Sequence, residues 1–296
     1  MQVTDTVLMI RPSRFRFNQQ TASTNIFQSE NSADENSAMK EFDDFVSMLR
    51  ENEIEVLLFN ENINADTPDC MFPNNWLSTI NKNLFLFPML AANRRTERRD
   101  DIVESLTDKF QLKINSDFIP FEKEMKYLEG TGSLVLDRKN KIAYCNLSSR
   151  SNEEVLDKFC KASEYSEIKF KAETPENKEV YHTNVIMSIG NSVAVICDEW
   201  IRNETERKNV LQSLSEKHTI IHLTSEQVFS FAGNMLLLKN KSGKCFWVMS
   251  SQAFNSLTEN QKTKLESDGK IIHSPINTIE SLGGGSARCM LAEIFH

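Results

Sequence analysis

No stretch of this sequence is apolar for long enough to span a bilayer, so a helical membrane protein is not expected. Basic residues do not dominate either. The 34 Lys and Arg are outnumbered by 42 Asp and Glu, for a net charge of -8, the wrong balance for a nucleic-acid partner. The six cysteines (70, 145, 160, 197, 245 and 289) form no CxxC pair and no dense framework. That scatter excludes a disulfide scaffold or zinc site and reads as reduced thiols in a cytoplasm. No cluster of metal-ligating side chains stands out, so neither a metal nor another cofactor is expected. The opening MQVTDTVLMIRPSRF lacks the charged n-region and small-residue cleavage site of a signal peptide. Glycine is scarce, nine in 296 residues, yet three stand together at 283–285, just before Cys289.

What is present is a grammar that recurs without repeating its letters. NNWLSTINKNLFLFPM (74–89), EGTGSLVLDRKNKIAYCN (129–146), HTNVIMSIGNSVAVICDE (182–199) and GNMLLLKNKSGKCFWVMS (233–250) share it. Each places a polar anchor before two apolar runs divided by turn residues, which predicts a hairpin. A helix is expected after each: 94–110 and 198–217 at period 3.6, NEEVLDKFCKASE (152–164) and SQAFNSLTENQKTKLES (251–267), with a fifth over 32–52. Ser151 and Glu154 read as a capping box for the 152–164 helix. Short strands should close the units: IEVLLFN (54–60), FIPF (118–121), IKF (168–170), TIIHLT (219–224) and KIIHSPI (270–276).

The anchors are Asn75, Glu129, His182, Asn234 and Cys289, separated by 54, 53, 52 and 55 residues. A fixed period of that size is the signature of a ring or array of supersecondary units. The fifth unit is split. CMLAEIF supplies the strand after the last anchor, and VLMIRP (7–12) supplies its partner. Pairing the termini would close a ring of five and remove open edges. In such a ring the anchors meet at one pocket on the axis.

A cysteine, a histidine and a glutamate meeting in one pocket are the parts of a nucleophilic catalyst. Alone, Cys289 would be an ordinary buried thiol and His182 a satisfied core histidine. Together with Glu129 they become nucleophile, proton carrier and orienting carboxylate. Gly283 to Gly285 would let the backbone approach a substrate closely. His218 and His222 sit four apart on HTIIHL with no carboxylate evident beside them. His273 and His296 read as solvent-facing or structural.

PDCMFPNNW, LEGTGS, LSSR, YHTNV, FAGNML and GGGSARCMLAEIF, in that order, resemble the guanidine-modifying or pentein superfamily. Its members include arginine deiminase, dimethylargininase and the amidinotransferases, and the arginine-deiminase-related citrulline-utilisation hydrolases look nearest. The resemblance spans essentially the whole chain. It implies one catalytic domain over 1–296, a five-bladed pseudo-symmetric α/β propeller acting on an arginine-related small molecule. It makes Cys289 the nucleophile, His182 the general acid and base, and Glu129 the active-site glutamate. Asp69, Phe72 and Asn75 match substrate-contacting positions. Arg150 matches an arginine that holds the substrate α-carboxylate, and Arg94 or Arg95 matches a second. The implied reaction is covalent hydrolysis of a guanidino or ureido C–N bond; an amidinotransferase or a non-catalytic propeller is the alternative.

The sequence departs from the family pattern where acids are expected. Asn184 stands two residues after the histidine in place of an aspartate, and Asn75 replaces the guanidinium-binding aspartate. Asn74 stands where a glutamate can occur, and Gly132 replaces the acid of EGGD. A guanidinium buries well only against carboxylates. These losses tilt the expected substrate towards citrulline or a substituted arginine. Asn184 and Asn234 join the substrate-side residues.

Overall fold

The structure, a computed structural model, describes residues 1–29 and 35–296. The chain enters through β1 (Thr6–Arg11) and, after a helix (Glu35–Glu51), forms β2 (Glu55–Asn60). A hairpin of β3 (Leu77–Ile80) and β4 (Asn83–Leu86) follows, and a helix (Asp100–Phe110) leads to β5 (Lys113–Asp117). The same order gives β6 (Leu134–Asp137), β7 (Ile142–Asn146) and β8 (Ser166–Phe170) around the helix Glu153–Ser163. It recurs in β9 (Met187–Ile189), β10 (Val193–Ile196) and β11 (Thr219–His222) around Glu204–Ser215. The last full unit is β12 (Leu236–Lys239), β13 (Cys245–Ser250) and β14 (Lys270–Ser274), and β15 (Ala292–Glu293) ends the series.

Each blade is an antiparallel hairpin plus a parallel strand reached through its helix, as a parallel crossover requires. The fifth blade is the split one. β15 pairs antiparallel with β1, Val7 opposite Glu293 and Leu8 opposite Ala292, and β1 pairs parallel with β2. The termini therefore complete the fifth blade of a pseudo-symmetric α/β propeller fold.

Burial follows position in the blade. β3, β6 and β9 are buried along their whole length, although each carries one or two polar residues among its apolar ones. β5 and β14 are outer edges and carry Lys, Asn and Asp or Lys and His, which protects an unpaired ladder. The β3–β4 turn places Asn81 and Lys82 at φ 47° and 65°, the left-handed pair that a two-residue hairpin loop requires.

Four local expectations need correction. The outer strand of the blade begun by β3 and β4 is β5, not FIPF. Pro120 has no N–H to give a ladder, and Ile119–Glu124 forms a 3-10 helix while Phe118 packs on Phe85 and Phe159. The Glu153–Ser163 helix is capped by Asn152, whose side chain accepts from the Glu154 and Val155 amides, not by Ser151. The helix expected over 251–267 is two, Ser251–Ser256 and Glu259–Glu266, each with its own hydroxyl cap at Ser250 and Thr258. His218 and His222 each have a carboxylate after all. Buried His218 meets Asp137 at 2.7 Å, and exposed His222 meets Asp198 at 2.6 Å. Of the helix expected over 32–52, residues 32–34 lie outside the described residues.

The far end of the axis is closed by the amino-terminal segment. Gln2 Nε2 donates to Leu136 O and Ile189 O, and its Oε1 accepts from the Arg138 and Lys139 amides. Thr4 O accepts from Lys239 N, so this segment ties β6, β9 and β12 together. Arg138 donates to Thr79 O and pairs with Glu293 at 3.3 Å.

Candidate active site

All five anchors precede the first strand of a hairpin or, for Cys289, the strand β15. Asn75 ends the 3-10 turn Pro73–Asn75, Glu129 opens the turn Gly130–Ser133, and His182 opens Thr183–Val185. Asn234 lies two residues before β12, and Cys289 sits in the 3-10 turn Ala287–Met290. The Asn75 turn packs on those of Glu129 and Cys289, and the Glu129 turn on that of His182, so the anchors gather at one end of the propeller.

Cys289 is held between two amides. Asn234 Nδ2 lies 3.3 Å and Asn184 Nδ2 3.7 Å from its Sγ. Asn234 is oriented in turn, donating to Asn184 O and accepting from Arg288 N at 3.1 Å. Burial pushes the Cys289 thiol up, while the Asn234 and Asn184 donors and the Arg288 charge pull it down. At neutral pH the thiol is protonated.

His182 Nε2 lies 2.8 Å from Glu129 Oε2. A carboxylate only accepts, so Nε2 carries the proton and Nδ1 is left as a base. Burial, with Arg150 and Arg94 behind it, outweighs Glu129 and brings His182 down to about 4. Burial alone would raise Glu129, but Arg150, His182 and Arg94 hold its carboxyl well below the usual range. Leu90 N donates to its other oxygen.

A small cavity opens beside these groups, walled among others by Cys289, His182, Asp69, Phe72, Asn75 and Arg150. Arg94 also lines it, whereas Arg95 turns away to Met89 O and Leu90 O. The Arg94 donors are largely committed: Nε and Nη2 to Glu97 at 2.9 Å each, Nη2 also to Phe72 O, and Nη1 to Asn75 Oδ1 at 2.7 Å. Arg150 is less engaged. It donates to Thr24 Oγ1, lies 3.4 Å from Glu129 and covers the Tyr181 ring, and its buried Nε has no protein partner. Asp69 Oδ1 and Asn75 Nδ2 are likewise buried without partners. Asn184 and Asn234 stand behind the thiol and are not part of the cavity wall.

Gly284 adopts φ +61° as it ends the helix Asn277–Gly283, a conformation that favours glycine. Gly283 and Gly285 lie against the Phe72 ring, where a Cβ would come within 2.9 Å, so their smallness seats Phe72 as well as baring the cavity wall.

Sequence reasoning passed over several residues here. Glu97 grips Arg94, and Tyr181 underlies Arg150 and donates to Gly284 O. The segment 18–25 straps the cavity: Asn18 donates to Asp69 at 2.8 Å, and Asn25 donates to Gly283 O. Glu97 had a signal in its i,i+3 spacing from Arg94, and Tyr181 in its place beside His182. The strap had none, since it is polar, irregular and distant in sequence from what it touches.

The sequence model of the family N,N dimethylarginine dimethylhydrolase, eukaryotic, matches residues 11–296. No curated protein matches the sequence significantly. Among solved structures, apo ArgZ, an arginine dihydrolase from the ornithine–ammonia cycle in cyanobacteria, is 15% identical with a TM-score of 0.78. That match covers 98% of this chain and 40% of the ArgZ chain, so this chain spans less than half of its length. The N-terminal domain of ArgZ, as a mutant bound to substrate, is 14% identical with a TM-score of 0.76, covering 98% of each chain. A dimethylarginine dimethylaminohydrolase variant in adduct with S-methyl-L-thiocitrulline is 12% identical, with a TM-score of 0.67, covering 99% of this chain and all of that one. These likenesses place the fold among the penteins. The family match extends from β1 to the last residue, so the chain belongs to the N,N dimethylarginine dimethylhydrolase (eukaryotic) family of the pentein superfamily.

Proposed function

We propose that this protein is a hydrolase that cleaves a C–N bond at the guanidino or ureido carbon of an arginine-related amino acid, through a covalent intermediate on Cys289. One observation supports this above the rest. A thiol seated between amide donors shares a cavity with a histidine whose Nδ1 is free and whose Nε2 is fixed to a buried carboxylate.

The resting pair is neutral thiol and neutral imidazole, by the directions of their shifts. As Sγ attacks the planar carbon, its proton passes to His182 Nδ1, and Glu129 stabilises the imidazolium that forms. The tetrahedral adduct collapses as His182 protonates the departing amine. What remains is a thiouronium from a guanidine, or a thiocarbamate from a ureido group. Water then attacks with His182 as base, and Cys289 leaves. The Asn234 and Asn184 amides stabilise sulfur anion at both ends of this sequence.

The amino-acid end belongs to Arg150, which has an unpaired Nε in the cavity wall. Asp69 Oδ1 is an acceptor without a partner. Burial raises the Asp69 carboxyl, and an arriving α-ammonium would favour its charged form. Arg94, with all but one of its donors committed, supports the wall instead.

The test is incubation with L-arginine, its methylated forms, L-citrulline and agmatine, with mass analysis of both products. Release of ammonia or an alkylamine from an amino acid, and little from agmatine, is expected. No product from any of these compounds would overturn the hydrolase reading.

A further inference from the structure

Arg94 and Glu97 pair with each other and both are buried, and Arg94 lines the cavity. Burying this ion pair is costly unless it does something more than stabilise the fold. Beyond Glu97, Arg94 reaches Phe72 O and lies 3.7 Å from Asp69, and its remaining contact is Asn75. Arg94 Nη1 donates to one end of the Asn75 amide at 2.7 Å, and a guanidinium can only donate. That end is therefore the oxygen, and the NH2 end must point away from Arg94.

Its direction is given by Gly132. A Cβ built on Gly132 would fall 2.3 Å from Asn75 Nδ2 and 2.7 Å from His182 Nδ1. The two nitrogens thus flank the same spot, which puts the amide donor beside the catalytic base. Any side chain at 132 would displace it. Asn75 Nδ2 is buried there with no partner in the protein.

We infer that Glu97 is a positioning residue for specificity: by anchoring Arg94 it fixes the Asn75 amide with its donor end towards the reacting group. This rests on the reading of the cavity as the substrate site. A guanidinium offers only donors, so it meets the Asn75 donor unfavourably. A ureido group presents a carbonyl oxygen that accepts from it. The arrangement selects the neutral ureido compound over the cation. A free asparagine could flip to suit either, and the Glu97–Arg94 pair removes that freedom.

The experiment is calorimetric titration of the Cys289→Ser protein with L-citrulline, L-arginine and L-ornithine, alone and with Glu97→Gln or Asn75→Asp added. The expected parent binds citrulline at least about tenfold more tightly than arginine, the scale of one mispaired buried group. Glu97→Gln should erase most of that preference, and Asn75→Asp should invert it. Ornithine keeps the amino-acid end and lacks the reacting group, so its affinity should change by less than about twofold in each. A citrulline-to-arginine ratio unchanged by Glu97→Gln, in protein that still binds ornithine, overturns the inference. So does a parent that prefers arginine. If Glu97→Gln fails to fold, Asn75→Asp decides, because an uninverted preference there also overturns it. Wild-type protein that turns over neither compound, with these affinity differences intact, would sink the hydrolase reading and leave this one standing.

Discussion

The two ends of the propeller axis are both polar and buried, and they are satisfied differently. At the far end, each polar atom of Gln2 has a partner, and Arg138, Thr79 and Glu293 close a network. At the near end, Asp69 Oδ1, both side-chain polar atoms of Asn74, Asn75 Nδ2, Arg150 Nε and Asn184 Oδ1 have no protein partner. Buried polar groups are normally paired, and a cluster of exceptions marks a place where the fold forgoes stability for a ligand. One end ties blades together, and the other holds the unpaired groups of the proposed site.

Substitutions should separate these roles. Cys289→Ser is expected to lower kcat by at least about 10⁴-fold, and His182→Ala by about 10²–10⁴-fold. Melting temperatures should stay near wild type and substrate binding should persist in Cys289→Ser. Single-turnover kinetics with calorimetry would show this, and loss of less than about tenfold in both variants would make the near end structural too.

The opposite outcome is expected from Glu293→Ala. Glu293 serves Arg138 directly and lowers the cost of buried Arg288. Its removal should cost about 3–5 kcal/mol in urea unfolding, as for other broken buried pairs. KM and kcat of the protein that remains folded should be unchanged.

The fold was far more legible than the site's supports. Apolar runs, turn residues and the 52–55-residue spacing of the anchors carry blade count and ring closure, because hairpins and crossovers are local and repeat. FIPF misled because Phe118 packs inward just ahead of a proline while the true strand, KINSD, lies on an exposed edge and is polar. Cys289, His182 and Glu129 were visible as chemistry-bearing residues at equal spacing. Glu97 and the strap around Asn18 and Asn25 were not, since their partners are fixed only by three-dimensional approach. Nor could sequence show that Arg94 is consumed by Glu97 while Arg150 is not.

A pH measurement sharpens the near end further. Because burial raises the Cys289 thiol above its ordinary value of 9.0, the thiolate fraction should still be growing past pH 9. Alkylation of Cys289 by iodoacetamide, followed by peptide mass, should accelerate across that range. A plateau reached below pH 8 would mean a pre-formed thiolate and a different first step.

The smallest expected effect is at Gln2. Gln2→Ala removes hydrogen bonds to two blades and leaves Leu136 O and Ile189 O without that donor, a cost of about 1–3 kcal/mol. Urea unfolding should show that loss with turnover unaffected. A change in KM would tie the two ends together and break the comparison.

The account turns on a covalent bond between Cys289 and the carbon it attacks. The most direct measurement is the intact mass of the protein, acid-quenched within milliseconds of mixing with each amino-acid substrate, followed by peptide mapping. The expected result is a transient mass increase on the peptide bearing Cys289, at most one per chain, absent from Cys289→Ser and longer-lived when His182 is replaced by glycine. Turnover with no adduct on Cys289 at any time, in wild-type and His182→Gly protein alike, would contradict the account.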